Sequence, residues 1–426
     1  MPRESIKMTG TTHTELATEE EEFARLTLRE MGPLGDTLAE LDGESVNVFG
    51  GIPGEEVVCR IVRYRRKRRR YVSGFVTQVL KPSPHRVDPP CVYFGACTGC
   101  QWQHIDYPHQ LTLKRDTVVR ELGRYAELEH LTVSPTVSGP QLFGYRNHAR
   151  FTVRRQGSLG FVNRITRRFV KVDECMLMAP WINETLRGLQ GRCEATSQLS
   201  IRYGINTGEW LIQPAISPSE IPFESGQTHY REKLLDRTFR VASPSFFQVN
   251  TEQAERLVAM VGERMELAGN ETLLDAYAGV GTFAVLLAPQ VQRVIAIEES
   301  EAAVKDAAIN TLGIDNLEFR QGRVEDVLAE LDGEAHAVVL DPPRAGCHPA
   351  ALEAVVRWAP RRVCYVSCDP ETLARDLQVL VRGGLCVESV EPVDMFPHTH
   401  HVECVVTLSS AGNAAHRNSP QSAQNN

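Results

Sequence analysis

Between residues 272 and 370 the chain repeats one device four times. A short apolar run ends in a turn of glycine, acid or proline, and helix-like sequence follows. The runs are 272–276 before a Gly-x-Gly turn, 293–298 ending in Glu298, 337–344 ending in Asp-Pro-Pro-Arg, and 363–370 ending in Ser-Cys-Asp-Pro. Runs this short and apolar, spaced by helical patterns, form a parallel sheet buried on both faces. An α/β domain is therefore expected over 237–408. Open sheets of this kind bind ligands outside the carboxyl ends of their strands.

The turns at those ends carry the chemistry. Gly279 and Gly281 let the backbone approach a ligand closely. About 20 residues on, Glu298 closes the second strand, where an acid can accept both hydroxyls of a ribose. Loop plus acid points to an adenosyl cofactor, without separating NAD from S-adenosylmethionine. The Asp341-Pro-Pro turn resembles the substrate-side motif of amino-methylating nucleic-acid methyltransferases, in which an aromatic follows the prolines. Arg344 follows here, which argues against chemistry on an exocyclic amine.

Cys368 supplies the alternative. It closes a buried run in a proline-ended polar turn, which presents a thiol; packing in the core, like Cys364, is the alternative for it. Carbon 5 of uracil is a poor nucleophile. Addition of a thiolate to carbon 6 makes it enolate-like and able to attack a methyl sulfonium. A base must then remove the carbon-5 proton so that the thiol can leave. Glu403 interrupts the apolar run 401–408 and is a candidate base. Desolvation there would raise its pKa. Equally, it could top an edge strand in solvent.

The rest of the chain divides by composition. Residues 1–22 and 409–426 are polar and aperiodic and read as disordered tails. Residues 23–84 hold short β-rich runs punctuated by Gly50, Gly51 and Gly54, which fits a small barrel of the OB type. The turn 51–55 followed by an apolar strand resembles the TRAM domain, an RNA-binding barrel. The run of six cations at 65–70, flanked by Tyr64 and Tyr71, has the pattern of phosphate contact with base stacking, or of a solvated hairpin tip. Residues 85–236 mix strands, an amphipathic helix near 107–122 and a cysteine cluster. Net charge is −8, and no apolar run reaches the ~18 residues of a membrane helix. The polar, acidic N-terminal stretch lacks a signal-peptide core. A monomer in the cytoplasm is expected.

With these residues assembled, residues 23–408 resemble the RNA 5-methyluridine methyltransferase family. The resemblance implies a class I methyltransferase domain binding S-adenosylmethionine through Gln248, Tyr277, Glu298 and Asp341, beside the glycine turn of Gly279 and Gly281. It places the nucleophile on Cys368 and the base on Glu403. Ala278 stands where many members have cysteine, Thr282 where some have asparagine, and Gly322 where some place a side chain near the adenine.

Cys91, Cys97 and Cys100 lie close together on glycine-containing turns, with Cys175 further on. Four thiolates suit zinc or an iron–sulfur cluster, and spacing does not choose between them. The resemblance implies a 4Fe-4S cluster, because a subset of the family carries one on matching cysteines; Cys175 matches the fourth ligand better than Cys193. Barrel and cluster together resemble the ribosomal-RNA branch more than the transfer-RNA branch. His398, His400 and His401 read as loop residues, with RNA contact as one role. Two rival functions remain: an amino-methylating nucleic-acid enzyme, and a non-catalytic RNA-binding protein.

Overall fold

The computed structural model describes residues 22–66, 69–217, 221–331 and 335–410. Nearly all of both expected tails, and Lys67 and Arg68 of the basic run, lie outside the described residues. The chain forms two compact units, one through Pro84 and one from His85 onward.

The first unit holds β1 (Phe23–Thr27), β2 (Thr37–Leu41), β3 (Glu44–Phe49), β4 (Glu56–Arg66) and β5 (Arg69–Lys81). They form one sheet in the order β1-β4-β5-β3-β2, with β3 and β5 parallel. Alternation drives it: Val46, Val48, Val57, Cys59, Ile61 and Val72 turn to one buried core. The strand ladder ends at β1 and β2, but the chain just beyond β1 meets β2: the Arg29 N–H donates to the Leu38 carbonyl at 2.9 Å, the Leu38 N–H donates to the Glu30 carbonyl at 2.8 Å, and Met31 bridges Thr37. Tyr64 and Tyr71 pair across the β4–β5 hairpin and stack on each other, with centroids 5.5 Å apart. The expected base-stacking rings therefore each already cover one face of the other.

The second unit begins with α1 (Tyr107–Leu122), capped by the Asp106 carboxylate. Then come β6 (His148–Arg154), β7 (Ser158–Val162), β8 (Phe169–Lys171), α2 (Pro180–Leu189), β9 (Gln198–Tyr203) and β10 (Trp210–Gln213). The strands pair in the order β10-β9-β6-β7-β8. Helix α2 was not anticipated. Its Ile182, Leu186 and Leu189 cover the apolar face of that sheet.

A hairpin of β11 (His229–Leu234) and β12 (Arg237–Ala242) leads to α3 (Thr251–Met265). This hairpin spans the boundary expected at 236/237, and both expected segments belong to one unit. The remaining elements are β13 (Thr272–Ala276), α4 (Thr282–Leu287), β14 (Arg293–Glu298), α5 (Glu301–Asn310), β15 (Leu317–Gln321), α6 (Val324–Glu330), β16 (Ala337–Leu340), α7 (Pro349–Trp358), β17 (Arg362–Ser367), α8 (Pro370–Arg382), β18 (Leu385–Val393) and β19 (Glu403–Ser410).

Seven strands pair in the order β15-β14-β13-β16-β17-β19-β18; all are parallel except the pairs made by β19. Side chains on one face, among them Leu274, Ile297, Leu340 and Val363, pack with α7, α8 and Val118 and Leu122 of α1. Those on the other, among them Leu273, Val294, Val339 and Cys364, pack with α3 and α4. Strands β16 and β17 are buried at every residue, as the middle of a doubly covered sheet must be. The strand order reverses between β13 and β16, which sets a ligand crevice at their carboxyl ends.

Candidate active site

Register brings the chemistry together. Strands β17 and β19 are antiparallel, with Ser367 opposite Cys404. Continued by one residue, that ladder sets Cys368 opposite Glu403. Strand β16 runs parallel to β17 on its other side, with Leu340 beside Tyr365, so Asp341 leaves the sheet at the same edge. Three residues far apart in sequence therefore meet at the ends of three neighbouring strands.

Cys368 is half-buried and lines a cavity of about 540 Å³ together with Gln248, Arg344, Thr399, His401 and Glu403. Cys364, four residues earlier, is wholly buried in the sheet. The turn is fixed locally. Ser367 Oγ accepts from the Asp369 N–H at 3.2 Å, and Asp369 caps α8 by accepting from the Thr372 N–H at 3.2 Å. The thiol thus precedes the positive end of a 13-residue helix, where a thiolate is favoured. Burial opposes this and pushes the thiol up to about 12; the nearby Glu403 adds to the rise and Arg344 offsets part of it.

Glu403 is 3 % exposed. Burial raises its carboxyl well above the ordinary range, the Asp341 charge adds to that, and Arg344 opposes it. The solvated-edge alternative is therefore excluded: β19 lies between β17 and β18. Loss of solvent likewise pushes Asp341 up to about 7.

The segment 394–401 delivers β19 and is braced from the cysteine-bearing region. Lys114 and Asp394 form an ion pair with both side chains fully buried, and Lys114 also donates to the Phe396 carbonyl at 3.1 Å. The backbone N–H groups of Gln101 and Trp102 donate to the His398 carbonyl. His398 is buried, stacks on Phe143 and receives the Gln110 side chain. An RNA-contacting role for His398 is corrected accordingly: its ring is used inside the protein. His401 meets the Arg344 guanidinium at 3.1 Å. Burial lowers all three imidazoles, to about 4 for His398 and His400 and about 3 for His401.

On the cofactor side, Tyr277 follows β13 with φ +95, and Gly279 and Gly281 follow it with φ +56 and +90. A Cβ at Gly279 would meet nothing within 4 Å, so this turn opens on free space. Glu298 accepts the Gly279 N–H at 2.9 Å and the Ser300 N–H at 2.7 Å, which leaves lone pairs for hydroxyl donors. Asp275 Oδ1 is buried without a partner beside this turn. These features fit an adenosyl ligand. The Tyr277 hydroxyl is directed elsewhere, to the Cys347 thiol.

Cys91, Cys97, Cys100 and Cys175 line the same cavity as Cys368, and Cys193 is buried in the core beneath α2. Among the described residues no three His, Cys, Asp or Glu side chains close up tightly enough to hold a single metal ion. The contributions of Arg146, Arg150 and Arg164 to the cavity were missed. Arg344 was noted only as a departure from another motif; its place directly after a strand-end Pro-Pro was the available signal.

Crevice, glycine turn and strand-end acids, on a sheet with an antiparallel β19 inserted between β17 and β18, fit the class I S-adenosylmethionine-dependent methyltransferases. The comparisons narrow this. Residues 222–411 match the family described as tRNA (Uracil-5-)-methyltransferase. An uncharacterized RNA methyltransferase of Gloeobacter violaceus is 34% identical over 88% of this chain and 93% of its own. One from Halalkalibacterium halodurans is 32% identical over 91% and 97%. The crystal structure of Pyrococcus abyssi tRNA (uracil-54, C5)-methyltransferase in complex with S-adenosyl-L-homocysteine superposes with a TM-score of 0.70 at 28% identity, over 90% of this chain and 100% of that one. The chain belongs to the tRNA (uracil-5-)-methyltransferase family and is an S-adenosylmethionine-dependent RNA methyltransferase of the uracil-C5 class.

Proposed function

We propose that this enzyme methylates carbon 5 of a uridine through a covalent adduct on Cys368, with Glu403 as the base. The observation that carries this reading is the antiparallel register that sets Cys368 opposite Glu403 at the wall of one cavity. The thiol first gives its proton to solvent; the thiolate Sγ then adds to carbon 6, and the C5–C6 electron pair moves onto carbon 5 and the carbon-4 oxygen as an enolate. Carbon 5 then takes an electrophilic methyl, which S-adenosylmethionine supplies. The Glu403 carboxylate takes the carbon-5 proton, the C5–C6 double bond re-forms, and the Sγ–C6 bond breaks. Gln248, Tyr277, Gly279, Gly281, Glu298 and Asp341 hold the methyl donor in this reading.

The RNA partner has electrostatic support despite the net charge of −8. Arg150, Arg154, Arg155, Arg164, Arg167 and Arg168 are exposed on β6 and the turns around β7, and none pairs with a carboxylate among the described residues. Two of them line the cavity beside Cys368. Exposed guanidinium groups without a carboxylate partner, Arg150 being held by the Gln198 side chain, lead to the thiol and suit a phosphodiester backbone. The N-terminal unit is read as an RNA-binding barrel of the TRAM type.

We favour a large-subunit ribosomal RNA as substrate. A transfer RNA is the second reading, favoured by the description of the Pyrococcus neighbour. The test is to incubate the enzyme and S-adenosylmethionine with ribosomal and transfer RNA from cells lacking the gene. New 5-methyluridine at one ribosomal site is expected; label found only in transfer RNA would reverse the choice, and label in neither would defeat the activity.

The four cysteines are read as ligands of a 4Fe-4S cluster. The support for this reading is that the four thiols line one cavity wall and that their pattern resembles the cluster-bearing subset of the family; a zinc ion on the same four thiols is the alternative. Protein purified without oxygen should carry about four iron and four sulfide per chain, with a broad visible absorption that bleaches on reduction. Stoichiometric zinc and a colourless protein would reject the cluster.

A further inference from the structure

One buried carboxylate near the site takes no part in the chemistry above. Asp376 lies on α8, which Cys368 precedes, and its side chain is excluded from solvent. Its Oδ2 accepts the Tyr365 hydroxyl at 2.6 Å and the Cys347 N–H at 2.7 Å. Its Oδ1 accepts the Arg375 guanidinium at 2.8 and 2.7 Å. Arg375 in turn donates to the Ala345 carbonyl at 2.9 Å, and the Thr372 hydroxyl donates to the Arg344 carbonyl at 3.2 Å. Residues 344–347 are thus tied to α8 at nearly every position. Gly346, at φ +78, completes the fit: a Cβ there would stand 2.6 Å from Asp376 Oδ2.

This segment carries Arg344, which lines the cavity with Cys368 and Glu403 and meets His401. Charge-assisted bonds to a buried carboxylate hold geometry tightly, because breaking one leaves a charge unpaired out of water. We propose that Asp376 is a positioning residue for methyl transfer: by fixing residues 344–347 to α8 it holds the Arg344 guanidinium beside Cys368. The proposal rests on Cys368 being the nucleophile.

The test uses the full-length enzyme and two readouts. Asp376→Asn keeps the side-chain shape and removes the charge. Its KM for RNA should stay within about threefold while kcat falls roughly 10–100-fold. The rate of Cys368 alkylation at fixed pH, followed on its own peptide by mass spectrometry, should fall about fivefold or more as Arg344 drifts from the thiol. Asp376→Asn added to Arg344→Ala should cost nothing beyond Arg344→Ala alone. Additive losses, or wild-type alkylation in a folded Asp376→Asn protein, would overturn the proposal. Should that variant not fold, Tyr365→Phe removes the hydroxyl's bonds to Asp376 and to the Cys347 thiol while Asp376 Oδ2 keeps the Cys347 N–H, and a smaller fall in both readouts is expected; no change in either overturns it. Alkylation needs neither RNA nor methyl donor, so it fails independently of the proposed reaction.

Discussion

Cys368→Ala is expected to reduce methyl transfer by roughly 10⁴-fold or more, because without the thiol carbon 5 has no route to enolate character. Binding of S-adenosylmethionine should survive, within about twofold by calorimetry, since the thiol lies on the substrate side of the crevice. An amino-methylating enzyme would behave differently: it attacks with the substrate's own nitrogen and would keep its activity. The pH dependence gives a second check. Burial pushes the free thiol up to about 12, so the protonated form dominates at neutral pH. Its reactive fraction should then rise about tenfold per pH unit below that value. Glu403, also raised, must likewise lose its proton before it can act as a base. Both requirements point the same way, so single-turnover rates should climb from about pH 6 to 9 with no falling limb from these two groups. A bell with a maximum near neutrality would mean that another group controls the step.

The methyltransferase sheet was legible because four of its seven strands, β13, β14, β16 and β17, announce themselves twice, by an apolar run and by the chemistry of the turn that ends it. Asp341 and Cys368 could be picked out singly for that reason, and Glu403 because it interrupts an apolar run. Their meeting could not, because it depends on β19 inserting antiparallel between β17 and β18, and no local pattern encodes that pairing. The same limit hid the sharing of one cavity by the four cysteines and Cys368, and the buried Lys114–Asp394 pair. Lysine and aspartate in isolation read as surface residues; only the tertiary fold pairs them 280 positions apart. His398 erred in the same direction. A polar loop residue was expected outside, and Gln110, on a helix assigned to another domain, holds its Nδ1 and backbone N–H inside.

Glu403→Gln should separate the two halves of the reaction. The amide is nearly isosteric and, unlike the raised carboxyl, carries no proton to lose. Addition of Cys368 and methylation at carbon 5 do not require a base at residue 403. Removal of the carbon-5 proton does. Turnover should therefore fall by about 10²–10⁴-fold, the range a positioned general base supplies, while the intermediate survives. A protein–RNA complex that resists denaturation should accumulate with Glu403→Gln, contain the transferred methyl, and vanish when Cys368→Ala is added. Sequencing the attached RNA would then read out the target uridine directly. If Glu403→Gln turns over at the wild-type rate without a trapped complex, the proton leaves to another acceptor. Asp341 would be the next to test, since it stands at the same sheet edge with a carboxyl near 7. A complex that still forms in the Cys368→Ala background would instead remove Cys368 as the attacking atom, and the register argument with it.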